Sequence, residues 1–194
     1  MQTVTTPLIA SFDIEADGNN PLQHSMLSLG IAFFRSPEIL VETFYVNIEP
    51  QIGKVAEAKC MEEFWSKHPK QLEMVQSNRV TPETAMLQLH KVLEKLSTRY
   101  KISWVAGPSC FDWMFVKCYY EFYGPVNKTP LGFYCQDLTS FARAYAIMHN
   151  MNLNQLMIWL VGKRDPETIH HALEDAKYQG LCYMKIRQKL NMYD

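Results

Sequence analysis

The tetrapeptide Phe12-Asp13-Ile14-Glu15 sets two carboxylates two residues apart at the end of an apolar run. On a β-strand, residues i and i+2 point to the same face, so Asp13 and Glu15 would stand side by side. Like charges held together repel, and a divalent cation relieves that repulsion; carboxylate oxygens are hard ligands that suit Mg²⁺ or Mn²⁺. A bare Asp-x-Glu is also readable as a solvated turn after a strand, so the pair needs company. Asp112 follows the apolar stretch 102–106 and the break Gly107-Pro108-Ser109, near the expected start of a helix. Unpaired backbone N–H groups favour an acid there, with or without a metal. The third stretch is His170-His171-Ala172-Leu173-Glu174-Asp175-Ala176, opening the last long helix. His170 and Asp175 are separated by about 140° around a helix, so they cannot share a helix face. Both reach one site only if His170 lies in a loop or the first turn, and the preceding run Lys163-Arg164-Asp165-Pro166-Glu167 reads as such a loop. A solvated helix start is the plainer reading of the histidine doublet.

The elements that must position these groups follow from hydrophobic patterning. Residues 8–14, 26–34 and 40–48 read as three strands with short connections, an antiparallel meander. A helix is expected over 55–65, stopped by Lys67-His68-Pro69. Thr81-Pro82-Glu83 has the form of an N-cap, an N1 proline and an early acid. Ala85, Met86, Leu89, Val92, Leu93 and Leu96 then trace a stripe of helical period. A short buried strand over 102–106, a helix over 111–122, a fifth strand over 131–135 and helices over 138–148, 153–160 and 170–190 complete the reading. Strands first, then alternating helix and strand, predict an α/β domain on a mixed central sheet.

Composition narrows the function. The chain has 194 residues with 19 Lys+Arg against 20 Asp+Glu, a formal charge of −1, which excludes a binder that coats nucleic acid by bulk positive charge. Hydrophobic residues at 47% exclude an acidic disordered chain. Cys60, Cys110, Cys118, Cys135 and Cys182 form no C-x-x-C pair, so a structural zinc site is not expected and reduced thiols in the cytoplasm are. The first residues lack the basic and apolar regions of a signal peptide, and no run reaches the length of a membrane span.

Taken together, the three motifs resemble those of the DEDDh branch of the DnaQ-like 3′–5′ exonucleases. The first matches Phe12-Asp13-Ile14-Glu15-Ala16-Asp17-Gly18, the second Phe111-Asp112 after a strand and a Gly-containing turn, the third the H-x4-D spacing from His170 to Asp175. Glu63-Phe64-Trp65, followed by Ser66-Lys67-His68-Pro69, is similar to a stretch in some members. The sequence departs from the family where Asp17 replaces the commoner Thr, and where Gly107-Pro108-Ser109 lacks the Asn of some second motifs. Position 171 is His rather than the Tyr of a related branch, which favours the histidine branch.

The resemblance implies a ribonuclease H-like fold of about five strands, the first three antiparallel, and a single exonuclease domain over 1–194. It implies two Mg²⁺ or Mn²⁺ ions held by Asp13, Glu15, Asp112 and Asp175, with His170 as general base and His171 as the alternative. The substrate would be the 3′ end of single-stranded RNA or DNA, and the product a nucleoside 5′-monophosphate. Ala16 and Gly18 would hold the terminal nucleotide by their backbone. Phe64 and Trp65 would stack on the last bases, core packing being the other role open to them. Lys177, Lys185, Arg187 and Lys189 would guide the strand unless they form only a solvated face. Several members are homodimers, so a homodimer is expected, with no membrane partner. A catalytically silent nucleic-acid-binding module and a different metal-dependent hydrolase are the competing readings.

Overall fold

Along Thr6–Ala16 (β1) the side chains divide by parity. Leu8, Ala10, Phe12, Ile14 and Ala16 enter one apolar cluster, while Ile9 enters another on the opposite face, the face that strand periodicity gives to Ser11, Asp13 and Glu15. The structure, a computed structural model, describes residues 6–126 and 130–192. β1 is the middle strand of five. Met26–Ser36 (β2) pairs with it antiparallel, and Ile39–Asn47 (β3) pairs antiparallel with β2. On its other side β1 pairs parallel with Tyr100–Ala106 (β4), and β4 pairs parallel with Cys135–Asp137 (β5). The order β3-β2-β1-β4-β5 is the expected mixed sheet with its first three strands antiparallel.

Helices cover both faces. Ala58–Glu63 (α1), a 3-10 turn at Trp65–Lys67 and Pro69–Gln76 (α2) form an arm beyond β3. Pro82–Ser97 (α3) and Ser109–Tyr123 (α4) pack on the even-numbered face of β1. Leu138–Met148 (α5), Leu153–Val161 (α6) and Ala172–Lys189 (α7) pack on the other. Thr81 caps α3 as expected, its side chain accepting from the Thr84 N–H, and the stripe from Ala85 to Leu96 is buried except for the partly exposed Val92. Among the described residues no helix is long and apolar enough to cross a membrane.

Three boundaries differ from the sequence reading. Pro69 does not stop a helix; it opens α2, because its missing N–H and fixed φ suit the first helical turn. The helix expected over 55–65 is confined to α1, followed by the 3-10 turn. The fifth strand begins at Cys135, and Leu131 is buried as a loop residue, so an apolar side chain there reports burial and not strand.

The tightest packing in the fold is between α7 and the sheet. Across the β-ladder, Asp13, Gly30 and Tyr45 are direct partners, so they lie in one row on one face. The start of α7 lies over the middle of that row. A Cβ on Gly30 would collide with the backbone of Ala172 and Leu173. Two turns along, Gly180 sits so close that a Cβ would lie 2.5 Å from the Phe34 ring and 2.7 Å from Ser11 Cβ. Ala172, Ala176 and Gly180, spaced four apart, are all buried, and Ala176 shares an apolar cluster with Ala32 and Phe34 on β2. Overpacking a site where backbone meets backbone costs typically about 1–3 kcal/mol. Gly30→Ala should therefore lower the unfolding free energy by at least that amount, read as a lower urea midpoint at unchanged slope. An unchanged midpoint would show that α7 does not need this approach.

Candidate active site

β1 and β4 run parallel, so the carboxyl ends of both strands open at the same edge of the sheet. Asp13 and Glu15 stand at the end of β1, and Asp112 enters from the first turn of α4, which follows β4. The α4 start is fixed from two sides. Trp113 packs on Phe12 and Trp104, at centroid distances of 5.7 and 5.8 Å. Asp137 accepts hydrogen bonds from the backbone N–H of Ser109 and of Ser140, both at 2.7 Å, so one carboxylate ties the starts of α4 and α5 together. Asp175, one turn into α7, completes the group from the opposite side. Glu15, His170 and Asp175 each offer a ligand atom, and the three atoms lie within 4.8 Å of one another.

The electrostatics are those of acids crowded out of water. Glu15, Asp112 and Asp175 are buried, while Asp13 keeps some exposed surface though hemmed in by protein. Burial, and then the charges of Asp112 and Glu15, push the Asp13 carboxyl well above its ordinary range. Burial and Asp112 push Glu15 from 4.5 to about 8. Burial pushes Asp112 from 3.8 to about 7, against the hydrogen bond of the Ile14 N–H. Gln179, four residues after Asp175 on the same helix face, donates to Asp13 Oδ1 at 2.7 Å. Arg164 makes an ion pair with Asp175 Oδ1, and its charge also acts on Asp13 and Glu15. That Asp175 oxygen and the buried Asp112 Oδ2 have no aligned hydrogen bond. A buried carboxylate oxygen without a donor, as at Asp112 Oδ2, among crowded acids is what a hard divalent cation takes, so the residues fit such an ion.

The two histidines are held differently. His171 is the N-cap of α7: its Nδ1 accepts from the Leu173 N–H at 3.2 Å, and its ring stacks on Tyr45 at 4.5 Å. His170 lies in the loop before the helix with φ +64, a left-handed conformation that costs a non-glycine residue about 1–2 kcal/mol. Its N–H donates to Asp175 Oδ2 at 3.2 Å, and its ring packs edge-on against Phe64 at 4.8 Å and His68 at 4.4 Å. Burial, then the neighbouring His68 and Arg164, lower its pKa. The arm steadies this loop further: Gln71 Nε2 donates to the Ile169 carbonyl at 3.3 Å, and Lys70 pairs with Glu167 at 2.9 Å.

The sequence pattern of the Rv2179c-like 3′–5′ exoribonuclease domain family matches residues 10–186, a span that holds all of these side chains. The chain belongs to this family. Solved structures show the same fold. E. coli exonuclease I in complex with single-stranded DNA superposes with a TM-score of 0.70 at 11% identity, over 96% of this chain and 41% of that one. The nuclease domain of 3′hExo, described as a DEDDh family member and bound to rAMP, gives a TM-score of 0.56 at 18% identity, over 95% and 93%. A full-length 3′-exonuclease gives 0.58 at 18%, over 95% and 83%. The chain thus spans about two fifths of exonuclease I. No curated protein sequence matches it.

Several of the groups expected to contact substrate already have partners within the chain. Trp65 is fully buried, and its indole N–H donates to the Ala16 carbonyl at 3.1 Å; it is a core residue with no face left for a base. Part of the backbone expected to hold a nucleotide is tied internally. The Ala16 carbonyl serves Trp65, and Asp17 exchanges backbone bonds with Ser25 and Glu57. Gly18 packs against the His24 ring. The extra acid, Asp17, accepts from the Ser25 N–H at 2.5 Å and closes the 17–25 loop. Phe64 alone of the aromatic pair is partly exposed, beside His170. The α7 cations are engaged: Lys177 with Glu174, Lys185 with the Leu160 carbonyl, Lys189 over the Trp159 ring, Arg187 with Tyr183 and the Met192 carbonyl. Sequence reasoning passed over Arg164, Gln179, Gly30 and Asp137. Only Gln179 carried a usable signal, its i+4 spacing from Asp175.

Two outcomes follow. The folded chain holds protons on Glu15 and Asp112 that the unfolded chain releases above its ordinary 4.5 and 3.8, so this contribution to stability is lost as pH rises toward about 8. The buried histidines act in the opposite sense only around and below their ordinary 6.5. With a chelator present, the urea midpoint should fall between about pH 7 and 8.5, and Asp112→Asn should flatten that fall; a midpoint rising over this range would contradict the crowding. Trp65→Ala should cost about 3–5 kcal/mol of stability, as removal of a core aromatic does. A stable variant with weakened substrate binding alone would restore the stacking role.

Proposed function

We propose that this chain removes nucleotides stepwise from the 3′ end of single-stranded nucleic acid, RNA before DNA, and releases nucleoside 5′-monophosphates. The observation that carries the reading is the convergence of Asp13, Glu15, Asp112 and Asp175 with His170 at the open ends of β1 and β4, in a chain of an exoribonuclease family. The family description and the rAMP bound to 3′hExo favour RNA, while exonuclease I is seen with single-stranded DNA. We read residues 1–194 as one exonuclease domain, because the family pattern spans nearly all of it around a single sheet. Five cysteines without a disulfide fit a reducing, cytoplasm-like compartment.

Asp13, Glu15, Asp112 and Asp175 would hold two Mg²⁺ or Mn²⁺ ions. When bound, such ions polarise the phosphodiester and make water acidic enough to attack it. Gln179 keeps the Asp13 carboxylate aimed into the group. His170 accepts the proton of the attacking water, and its lowered pKa keeps the ring in the neutral form that a general base requires. We choose His170 over His171 because the Nδ1 of His171 already caps α7. Phe64 offers a partly exposed ring for the terminal base, a contact worth about 1–3 kcal/mol.

A 5′-labelled single-stranded RNA incubated with Mg²⁺ or Mn²⁺ should shorten to a ladder, with matched DNA shortening more slowly. Asp13→Asn and Asp112→Asn should abolish the ladder. His170→Ala should lower kcat by about 10²–10⁴-fold, and His171→Ala far less. Binding without shortening would instead assign a silent binding module. Phosphate release from a monophosphate with oligomers left intact would assign a phosphatase.

A further inference from the structure

Arg164 is placed where a metal ion would need to compete with it. Its guanidinium sits on Asp175 Oδ1, inside the carboxylate group, and its charge acts on Asp13 and Glu15. Asp175 Oδ2 accepts from the His170 backbone N–H, while Oδ1 has the guanidinium as its neighbour. A divalent cation bound through Asp175 Oδ1 and the guanidinium cannot share that oxygen, since two positive groups at contact distance in a buried site repel strongly. An alternative seat for the guanidinium lies next door. A shallow groove of about 240 Å³ adjoins it, lined by Arg164 itself and by Asp165, Thr168, Tyr178 and the Glu174–Lys177 pair. Arg164 already lies over the Tyr178 ring at 5.1 Å, and the Glu174 charge already acts on it.

We propose that Arg164 is a built-in competitor for the divalent cation, a positioning residue that pairs with Asp175 when no ion is held and swings to the Glu174–Tyr178 groove when one is. The inference rests on the metal reading given above. It makes the site self-neutralising: the side chain steadies the crowded acids and sets a threshold of cation concentration for loading them. The loop that carries Arg164 also carries His170, and Asp175 grips both, so loading the ion loosens one of the contacts that hold this loop on α7.

Calorimetric titration of the full chain with Mg²⁺ and Mn²⁺ tests this, at about pH 8.5, where protons compete least for the acids. Arg164→Gln should bind the ions roughly tenfold more tightly than the unaltered chain, about 1.4 kcal/mol. Arg164→Lys keeps the charge and should bind much as the unaltered chain does. Lys163→Gln removes an exposed neighbouring charge and should leave binding unchanged. Damage to the fold would weaken binding, so a tightened Arg164→Gln cannot come from misfolding. Equal or weaker binding by Arg164→Gln overturns the competition, as does equal tightening by Lys163→Gln, which would reduce the effect to net charge. No ion binding by the unaltered chain would overturn the metal reading itself and this inference with it.

Discussion

Four carboxylates meet in a space largely closed to water, and their mutual repulsion is the constraint the rest of the structure has to satisfy. Each is delivered by a different part of the chain: Asp13 and Glu15 by the central strand, Asp112 by the helix after its parallel neighbour, Asp175 by the last helix. None of these acids would choose this neighbourhood, as the raised pKa values of Asp13, Glu15 and Asp112 record. The apolar packing behind them therefore has to hold them there. The Phe12–Trp104–Trp113 cluster fixes one side, and the small-residue contact between α7 and β2 fixes the other. Backbone against backbone is a stiff contact, because it has no side chain that can rotate away under load.

That contact also explains how the loop carrying His170 is placed. Because α7 starts directly over Gly30, His171 comes to rest on Tyr45, one strand further out, and caps the helix there. His170, one residue earlier, is thereby turned to the other side, toward Asp175, Phe64 and His68. The division of labour between two adjacent identical residues thus comes from the helix start: one is consumed by capping, and the other is left facing the acids. The α1–α2 arm closes the arrangement from above through Gln71 and Lys70.

The charge balance acquires a local meaning. A net charge of −1 is an average over a surface of paired ions and a core site that concentrates negative charge. The basic residues of α7, which in sequence look like a track for phosphates, are held by carbonyls, aromatic rings and an acid of the same helix. Attraction for a nucleic acid then depends on what the carboxylates hold. Two divalent ions would carry the whole protein to about +3, with the added charge confined to one cleft.

Much of this was legible in the sequence because it is local. Strand alternation puts Asp13 and Glu15 on one face, proline and threonine mark the start of α3, and the angular offset of His170 from Asp175 requires a loop between them. The order of strands and helices was enough to read a mixed α/β sheet, and the resemblance of the three acidic motifs pointed to the exonuclease family. What sequence alone did not decide is which groups face each other after the chain closes. Trp65 and Phe64 are neighbours of similar chemistry, yet one is sealed beneath Ala16 and the other opens beside His170. Gly30 looks like an ordinary strand glycine until a helix from 140 residues later is laid over it, and Arg164 looks like a loop cation until Asp175 is brought to it. Pattern along the chain sets direction and periodicity, which are properties of neighbouring residues. Contact and desolvation depend on distances between segments far apart in sequence, and only the packed tertiary structure sets those.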